Sequence, residues 1–117
     1  TGLTAVATLV GASARKTIIE RTNVGEDPWA DEDFERLDSD RGYVVTTSDG
    51  VPLAVREAGP EDAPLTVVFA HGFCLRMGAF HFQRVRLGEV FGPQVRMVFY
   101  DQRGHGESGE GEPDSYT

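Results

Sequence analysis

Several residue types are scarce in this chain of 117 residues. Cys74 is the single cysteine, so no disulfide can form within the chain, and the main sequence sign of an oxidising compartment is missing. Lys and Arg total 11 against 19 Asp and Glu, which gives a net charge of -8. Because such a chain repels phosphate, we do not expect a nucleic acid as its partner.

Metal-binding patterns are also missing. The three histidines and the cysteine do not show the paired spacing of zinc ligands. The acidic stretch between Glu26 and Leu37 lacks the glycine and the terminal glutamate of an EF-hand loop. We therefore expect no metal site, and the clustered acids are interpreted as a solvated surface.

The composition predicts a globular protein, with 39% hydrophobic and 26% charged residues. Residues 1–16 form an Ala-rich apolar segment, residues 17–41 an acidic linker with one short helix, and residues 42–117 the folded part. The first segment is too short to span a bilayer, which needs roughly 20 apolar residues. Two interpretations stay open: an ordinary helix, or the end of a longer membrane or signal segment. The expected location is accordingly cytoplasmic or membrane-associated.

The folded part begins with a predicted hairpin. Tyr43–Thr47 is predicted as a strand and Val51–Glu57 as its partner strand, and Ser48–Gly50 between them is a tight turn. The run Leu65–Ala70 has no polar residue after Thr66. This pattern predicts a strand that is covered on both faces in a parallel sheet.

A crossover helix and a further strand follow. Residues 78–91 predict a helix that ends at Gly92-Pro93, and Val95–Tyr100 predicts the next buried strand. The fold class is therefore α/β, an incomplete mixed sheet in which an antiparallel hairpin precedes a strand-helix-strand crossover. The expected core contacts of the helix are Phe80, Leu87, Val90 and Phe91.

Two glycine-rich motifs stand at the ends of the two predicted parallel strands. The first is His71-Gly72-Phe73, and the second is Asp101-x-Arg103-Gly104-x-Gly106-x-Ser108. Together, at this spacing, they make residues 43–108 resemble the N-terminal portion of an α/β-hydrolase-fold enzyme. The strand ends of α/β proteins are where such folds place their chemistry.

The resemblance assigns a role to the first motif. It implies that the backbone amide of Phe73 contributes to an oxyanion hole, where one preplaced donor is worth about 3 to 4 kcal/mol of barrier. The phenyl ring would wall an apolar substrate site, and the alternative is a core phenylalanine. His71 and Gly72 resemble the residues that shape this turn, because a catalytic histidine follows the nucleophile in this fold. Cys74 borders the site and is expected to be a small buried residue.

The second motif is expected to shape the site rather than to react. Asp101, Arg103, Gly104, Gly106 and Ser108 resemble residues that hold the loop after the strand. The sequence around Ser108 is Gly-Glu-Ser-Gly-Glu, in which the second glycine comes one position too early for a nucleophile elbow, and no convincing helix follows. No nucleophile, triad acid or triad base is therefore assigned to this chain.

The same loop formally matches a dinucleotide-binding fingerprint, Gly104-x-Gly106-x-x-Gly109. That fingerprint must open a helix whose N-terminus holds pyrophosphate. Here Glu107 and the acidic residues after Gly109 would repel phosphate, and Pro113 ends the segment. A dinucleotide-binding protein stays a distant alternative.

The resemblance implies a serine hydrolase that acts on a small-molecule ester or a related acyl bond, or on an apolar substrate, without a cofactor. Epoxide hydrolases, dehalogenases, cofactor-free peroxidases and noncatalytic binding modules share the fold and remain alternatives. The chain starts at Thr1 and stops after a loop at Thr117, so we expect an N-terminal portion of a longer protein. Alone it should be inactive and poorly stable, because Leu65–Ala70 and Val95–Tyr100 would expose edges and faces of an incomplete sheet.

Overall fold

The computed structural model of the chain describes residues 27–116. The predictions for residues 1–16 and for the first ten residues of the linker lie outside this range. The chain divides into two compact units, residues 1–32 and residues 33–117. In the first unit, Asp27 holds a turn by accepting hydrogen bonds from the amides of Trp29 and Ala30. Residues 27–40 contain turns and no helix.

The second unit is built on four strands and one α-helix. They are β1 (Arg41–Thr46), β2 (Pro52–Ala58), β3 (Leu65–Ala70), α1 (His81–Phe91) and β4 (Val95–Tyr100), with short 3-10 turns at Met77–Phe80, Gly92–Gln94 and Pro113–Ser115. The strand order is β1-β2-β4-β3. β2 is antiparallel to both of its neighbours, and β3 is parallel to β4. The predicted mixed sheet with a hairpin and a strand-helix-strand crossover is confirmed.

Of the helices within residues 27–116, none combines the length and the apolar character needed to cross a bilayer. The helix ends where the sequence predicted, because Gly92 adopts a φ of +50° and the chain turns there into β4.

One face of the sheet carries the core. Ala54 and Ala58 of β2 point to the same side as Val95, Met97 and Phe99 of β4, and all five are buried. The ring of Phe69 on β3 stacks on that of Phe99 with 4.5 Å between centroids. Three partly buried side chains pack on this face: Leu87 of α1, Phe80 of the 3-10 turn before it, and Leu37. Burial of this apolar area is the main stabilising contribution to the unit.

Three predictions about burial are wrong. β3 is not covered on both faces: it lies at an edge of the sheet, and Val68 on its outer face is 61% exposed. β4 exposes no edge, because it lies between β2 and β3. Val90 and Phe91 belong to the last turn of α1, beyond the reach of the core cluster, and both are exposed. Phe80 and Leu87 do pack on the core, and the edge exposure predicted for Leu65–Ala70 is confirmed.

The other face of the sheet carries a buried ionic cluster. Glu57 of β2 is 2% exposed and accepts hydrogen bonds from Arg96 on β4 at 2.7 and 3.0 Å, from Arg41 on β1 at 3.1 Å, and from the hydroxyl of Tyr43. The pKa of Glu57 is lowered to about 2, mainly by hydrogen bonding to the guanidinium of Arg96. Burial of the carboxylate acts in the opposite direction and raises its pKa. The same carboxylate raises the pKa of Tyr43. The cluster therefore joins three strands through one ionised side chain.

We expect Glu57→Gln to lower the free energy of unfolding by about 3 kcal/mol at neutral pH, because it leaves two arginines without their buried partner. The pKa of Glu57 lies at about 2, below its ordinary value of 4.5, so the stabilisation is complete above pH 4.5 and is lost as the pH falls towards 2. Urea unfolding at several pH values measures both effects. The difference between wild type and Glu57→Gln should shrink over this pH interval.

Glu61→Gln is the matched control for this prediction. Glu61 pairs with the same Arg41 at 3.4 Å, but its side chain is 72% exposed. An exposed pair contributes at most about 1 kcal/mol, so this variant should unfold nearly as wild type does. Equal effects of the two substitutions would contradict a special role of the buried carboxylate.

Candidate active site

Both glycine-rich motifs lie at the end of the sheet where the parallel strands β3 and β4 finish. β3 and β4 are parallel and pair Ala70 with Tyr100, so their next residues, His71 and Asp101, leave the sheet side by side. The turn between β1 and β2 reaches the same edge, because β2 runs antiparallel to β4. Three loops that are distant in sequence therefore meet at the carboxyl ends of the parallel strands, where open α/β sheets bind ligands.

The carboxylate of Asp101 links the two motifs. It is 1% exposed, and its Oδ1 accepts a hydrogen bond at 2.7 Å from the amide of Met77, beyond the first turn. Its Oδ2 accepts another at 2.9 Å from the amide of Glu107 in the second loop. Gly106 leaves room for this contact: it has a φ of +51°, and a Cβ there would lie 2.1 Å from Oδ2. Asp101 thus connects the segment after the first turn with the second loop.

His71 is buried and uses both ring nitrogens. Nε2 accepts a hydrogen bond from the amide of Gln102 at 2.9 Å, so Nδ1 carries the proton and donates to the carbonyl oxygen of Gly72 at 2.9 Å. The side chain of Gln102 donates back to the carbonyl oxygen of His71. The ring therefore braces the first turn against the backbone of the second loop.

Ser108 is also fully engaged. Its hydroxyl donates to the carbonyl oxygen of Asp101 at 2.6 Å and accepts from the amide of Ala54 at 2.8 Å. Gly104 and Gly109 continue this link, since the amide of Gly104 donates to the carbonyl of Gly109, and the amide of Gly109 donates to Pro52. The hydroxyl proton of Ser108 faces a carbonyl oxygen rather than a base. This geometry supports a role in holding the loop against β2.

Arg103 ties the second loop to the hairpin turn. Its guanidinium contacts both carboxylate oxygens of Asp49, at 2.7 and 3.2 Å. These hydrogen bonds are the main cause that lowers the pKa of Asp49 to about 2. A two-pronged arginine–carboxylate contact fixes orientation as well as distance.

The tip of the first turn projects away from the sheet. Phe73 is 88% exposed, so the alternative of a core phenylalanine is wrong. Its amide donates no hydrogen bond within residues 27–116 and is free for a ligand. Cys74 is exposed rather than buried, because it lies at the same tip, and it has a φ of +61°. Few residues other than glycine adopt this conformation.

The sequence analysis missed His105. Its Nε2 accepts a hydrogen bond from the amide of Cys74 at 3.2 Å, and its ring contacts those of Phe73 and His71 with centroid distances of 5.9 and 5.1 Å. The available signal was its position between two glycines of the second motif, where an aromatic side chain can reach across to the first turn.

A cavity of about 400 Å³ opens beside Asp101. Met77, Glu107 and Arg56 are among its lining residues, and Phe73 is not. The exposed ring of Phe73 therefore does not contribute to the wall of this cavity.

Comparison with known proteins identifies relatives of this region. No protein-family model matches the chain. It is 43% identical over 68 residues to a bifunctional esterase/perhydrolase of Acinetobacter calcoaceticus, a match that covers 57% of this chain and 22% of that protein. The chain therefore spans less than a quarter of the length of this curated relative.

Solved structures of hydrolases are similar in fold to this region. A hydrolase of Pseudomonas aeruginosa PA01 matches 63% of the chain with a TM-score of 0.52 and 27% identity, over 26% of its own length. An esterase of Exiguobacterium antarcticum matches 61% with a TM-score of 0.52 and 28% identity, over 24% of its length. A Vigna radiata epoxide hydrolase mutant matches 64% with a TM-score of 0.51 and 25% identity, over 21% of its length.

We expect Asp101→Asn to destabilise the unit by about 2 to 3 kcal/mol, because one amide hydrogen of Asn would face the amide of Met77 or Glu107 and remain unpaired. Urea unfolding measures the loss. Asp114→Asn is the control, since Asp114 is exposed in the same part of the chain. A loss below about 0.5 kcal/mol in Asp101→Asn would show that the carboxylate does not hold the two motifs together.

The strand order, the two glycine-rich turns at one sheet edge and the relatives agree with one another. These hydrolases are much longer than this chain, which matches about a quarter of each. Residues 41–100 therefore have an incomplete α/β-hydrolase fold.

Proposed function

We propose that this chain supplies the oxyanion side of a serine hydrolase that cleaves esters or related acyl bonds. The single observation that carries the proposal is the amide of Phe73, which is unpaired within residues 27–116 and lies in a turn braced by His71. A negative oxygen that develops in a tetrahedral intermediate needs a donor of this kind. The names of the matched proteins, an esterase/perhydrolase and an esterase, support the acyl substrate class.

In the proposed mechanism, a serine outside this chain attacks the carbonyl carbon and passes its proton to a histidine, which is also outside the chain. The Phe73 amide and the amide that follows the nucleophile share the charge of the oxyanion. The exposed phenyl ring of Phe73 forms one wall for the acyl group or another apolar part of the substrate. Asp101 and Ser108 act only by holding the loop that supports this turn.

A second candidate is an epoxide hydrolase. It is favoured by the match to the Vigna radiata enzyme. The frame described here serves either reaction, because both place a negative oxygen near the same edge of the sheet. The residue at the nucleophile position, serine or aspartate, distinguishes them.

We expect the purified chain alone to show no turnover of p-nitrophenyl acetate, since no serine within it occupies a nucleophile elbow. Release of p-nitrophenol is followed against a heat-denatured sample. Saturable turnover that persists in Ser108→Ala would reveal a second nucleophile within the chain. Turnover abolished by Ser108→Ala would instead overturn the holding role of that hydroxyl.

A chimera tests the oxyanion assignment directly. Residues 43–108 of this chain replace the matching segment of the Acinetobacter esterase/perhydrolase. Phe73→Pro removes the amide hydrogen, and we expect it to lower kcat by about 100-fold to 1,000-fold with a smaller effect on KM. An unchanged kcat in a folded Phe73→Pro chimera would disprove the role of this amide.

Phe73→Leu is the matched control, because it keeps the amide and shortens the apolar wall. It should raise KM for long acyl chains and leave kcat within a few-fold of the parent chimera. Assays with an ester and with an epoxide in parallel separate the two candidate reactions. A folded chimera that is inactive on both would favour a noncatalytic, ligand-binding role for this frame.

A further inference from the structure

His105, in the loop after β4, contacts the backbone of the turn that follows β3. The amide of Cys74 donates to Nε2 of His105 at 3.2 Å, across 31 residues of sequence. This is the amide directly after Phe73. The contact therefore acts on the peptide unit next to the one that the proposed function uses.

The protonation of His105 is fixed from the other side of the ring. Nδ1 lies 3.0 Å from the carbonyl oxygen of Arg103, an acceptor, so Nδ1 must carry the proton. Nε2 is then an acceptor, as the bond from Cys74 requires. Arg103 is itself held by Asp49, so the position of the imidazole follows from the frame of the second loop.

The turn needs such support because of its backbone. Cys74 has a φ of +61°, and it is the single non-glycine residue with a positive φ within residues 27–116. A side chain at this φ is strained unless the surrounding structure enforces the conformation, and such strain concentrates at functional sites. The turn is closed by a hydrogen bond from the amide of Leu75 to the carbonyl oxygen of Gly72 at 3.2 Å, which places Cys74 at its third position. The hydrogen bond to His105 and the edge contact of its ring with that of Phe73 hold this turn from the opposite loop.

We propose that His105 is a positioning residue for the oxyanion turn: it clamps the amide of Cys74 and so fixes the peptide unit that follows the one carrying the Phe73 amide. The clamp rests on the geometry alone, and its use in catalysis rests on the proposed function. His71 holds the start of the turn and His105 holds its end. The two histidines belong to different loops, so the turn is fixed only when both loops are in place.

Amide hydrogen exchange of the isotope-labelled chain, followed by NMR, tests the clamp. His105→Phe keeps an aromatic ring and removes the acceptor, and we expect exchange of the Cys74 amide to become about tenfold faster. His105→Gln removes the ring and keeps an acceptor, and exchange should stay within about twofold of wild type. The amide of Gln102, which is held by His71, is the internal control and should not respond.

A spectrum of the wild-type chain provides a test that needs no variant. The imidazole nitrogen signals of His105 should show a protonated Nδ1 and an unprotonated Nε2 at neutral pH. A protonated Nε2 would overturn the inference, as would a Cys74 amide that exchanges freely in wild type. Equal acceleration at Gln102 and Cys74 in His105→Phe would show general loosening and would overturn it as well.

The oxyanion assignment and the His105 clamp can fail independently, and activity measurements on the chimera distinguish the two failures. In the chimera, His105→Phe should lower kcat about tenfold with little change in KM, and His105→Gln should restore most of it. If Phe73→Pro leaves kcat unchanged while the Cys74 amide responds as expected, the clamp stands and the oxyanion assignment fails. If Phe73→Pro acts as expected and the Cys74 amide does not respond, the clamp fails alone.

Discussion

The contact between the Asp101 carboxylate and two backbone amides is the interaction on which the candidate site depends. A buried carboxylate is costly unless its oxygens are hydrogen-bonded, and here each oxygen accepts a hydrogen bond from a different segment. One amide lies beyond the first turn and the other lies in the second loop. If either segment moved away, one oxygen of the buried carboxylate would lose its hydrogen bond. The cost of burying Asp101 therefore restrains both segments.

The sheet edge gains further order from contacts with the hairpin. Ser108 joins the loop to the amide of Ala54, and Arg103 joins it to Asp49 in the hairpin turn. The two loops are therefore supported from β2 as well as from each other. A site that must hold one amide within a fraction of an ångström of a reacting oxygen benefits from such support, because loop backbone alone is mobile.

The regular elements could be predicted from the sequence, because their signals are local. The apolar runs Leu65–Ala70 and Val95–Tyr100 are the strands β3 and β4 with unchanged bounds, and Gly92 ends the helix as expected. Burial was predicted less well, since it depends on which elements lie next to each other: the position of β3 at an edge cannot be read from its own residues.

The candidate site could be predicted in part. The residues of the two motifs were identified, because glycines and polar side chains after apolar runs mark the edge of a sheet. The contact of His105 with Cys74 was missed, since it joins residues far apart in sequence and neither carries a signal for the other. The exposure of Cys74 was missed for the same reason. Its positive φ belongs to a turn closed by the hydrogen bond from the amide of Leu75 to the carbonyl oxygen of Gly72, for which a cysteine is no signal.

The unpaired edge of β3 affects self-association and refolding of this polypeptide. Within residues 27–116, β3 pairs with β4 alone, so its other side presents unpaired amides and carbonyls next to the apolar side chains of Leu65 and Val68. Such an edge templates pairing with any extended segment it meets, including that of another copy. Self-association through this strand should therefore compete with refolding, and dilution or a chaperone that masks the strand should raise the yield of the native form.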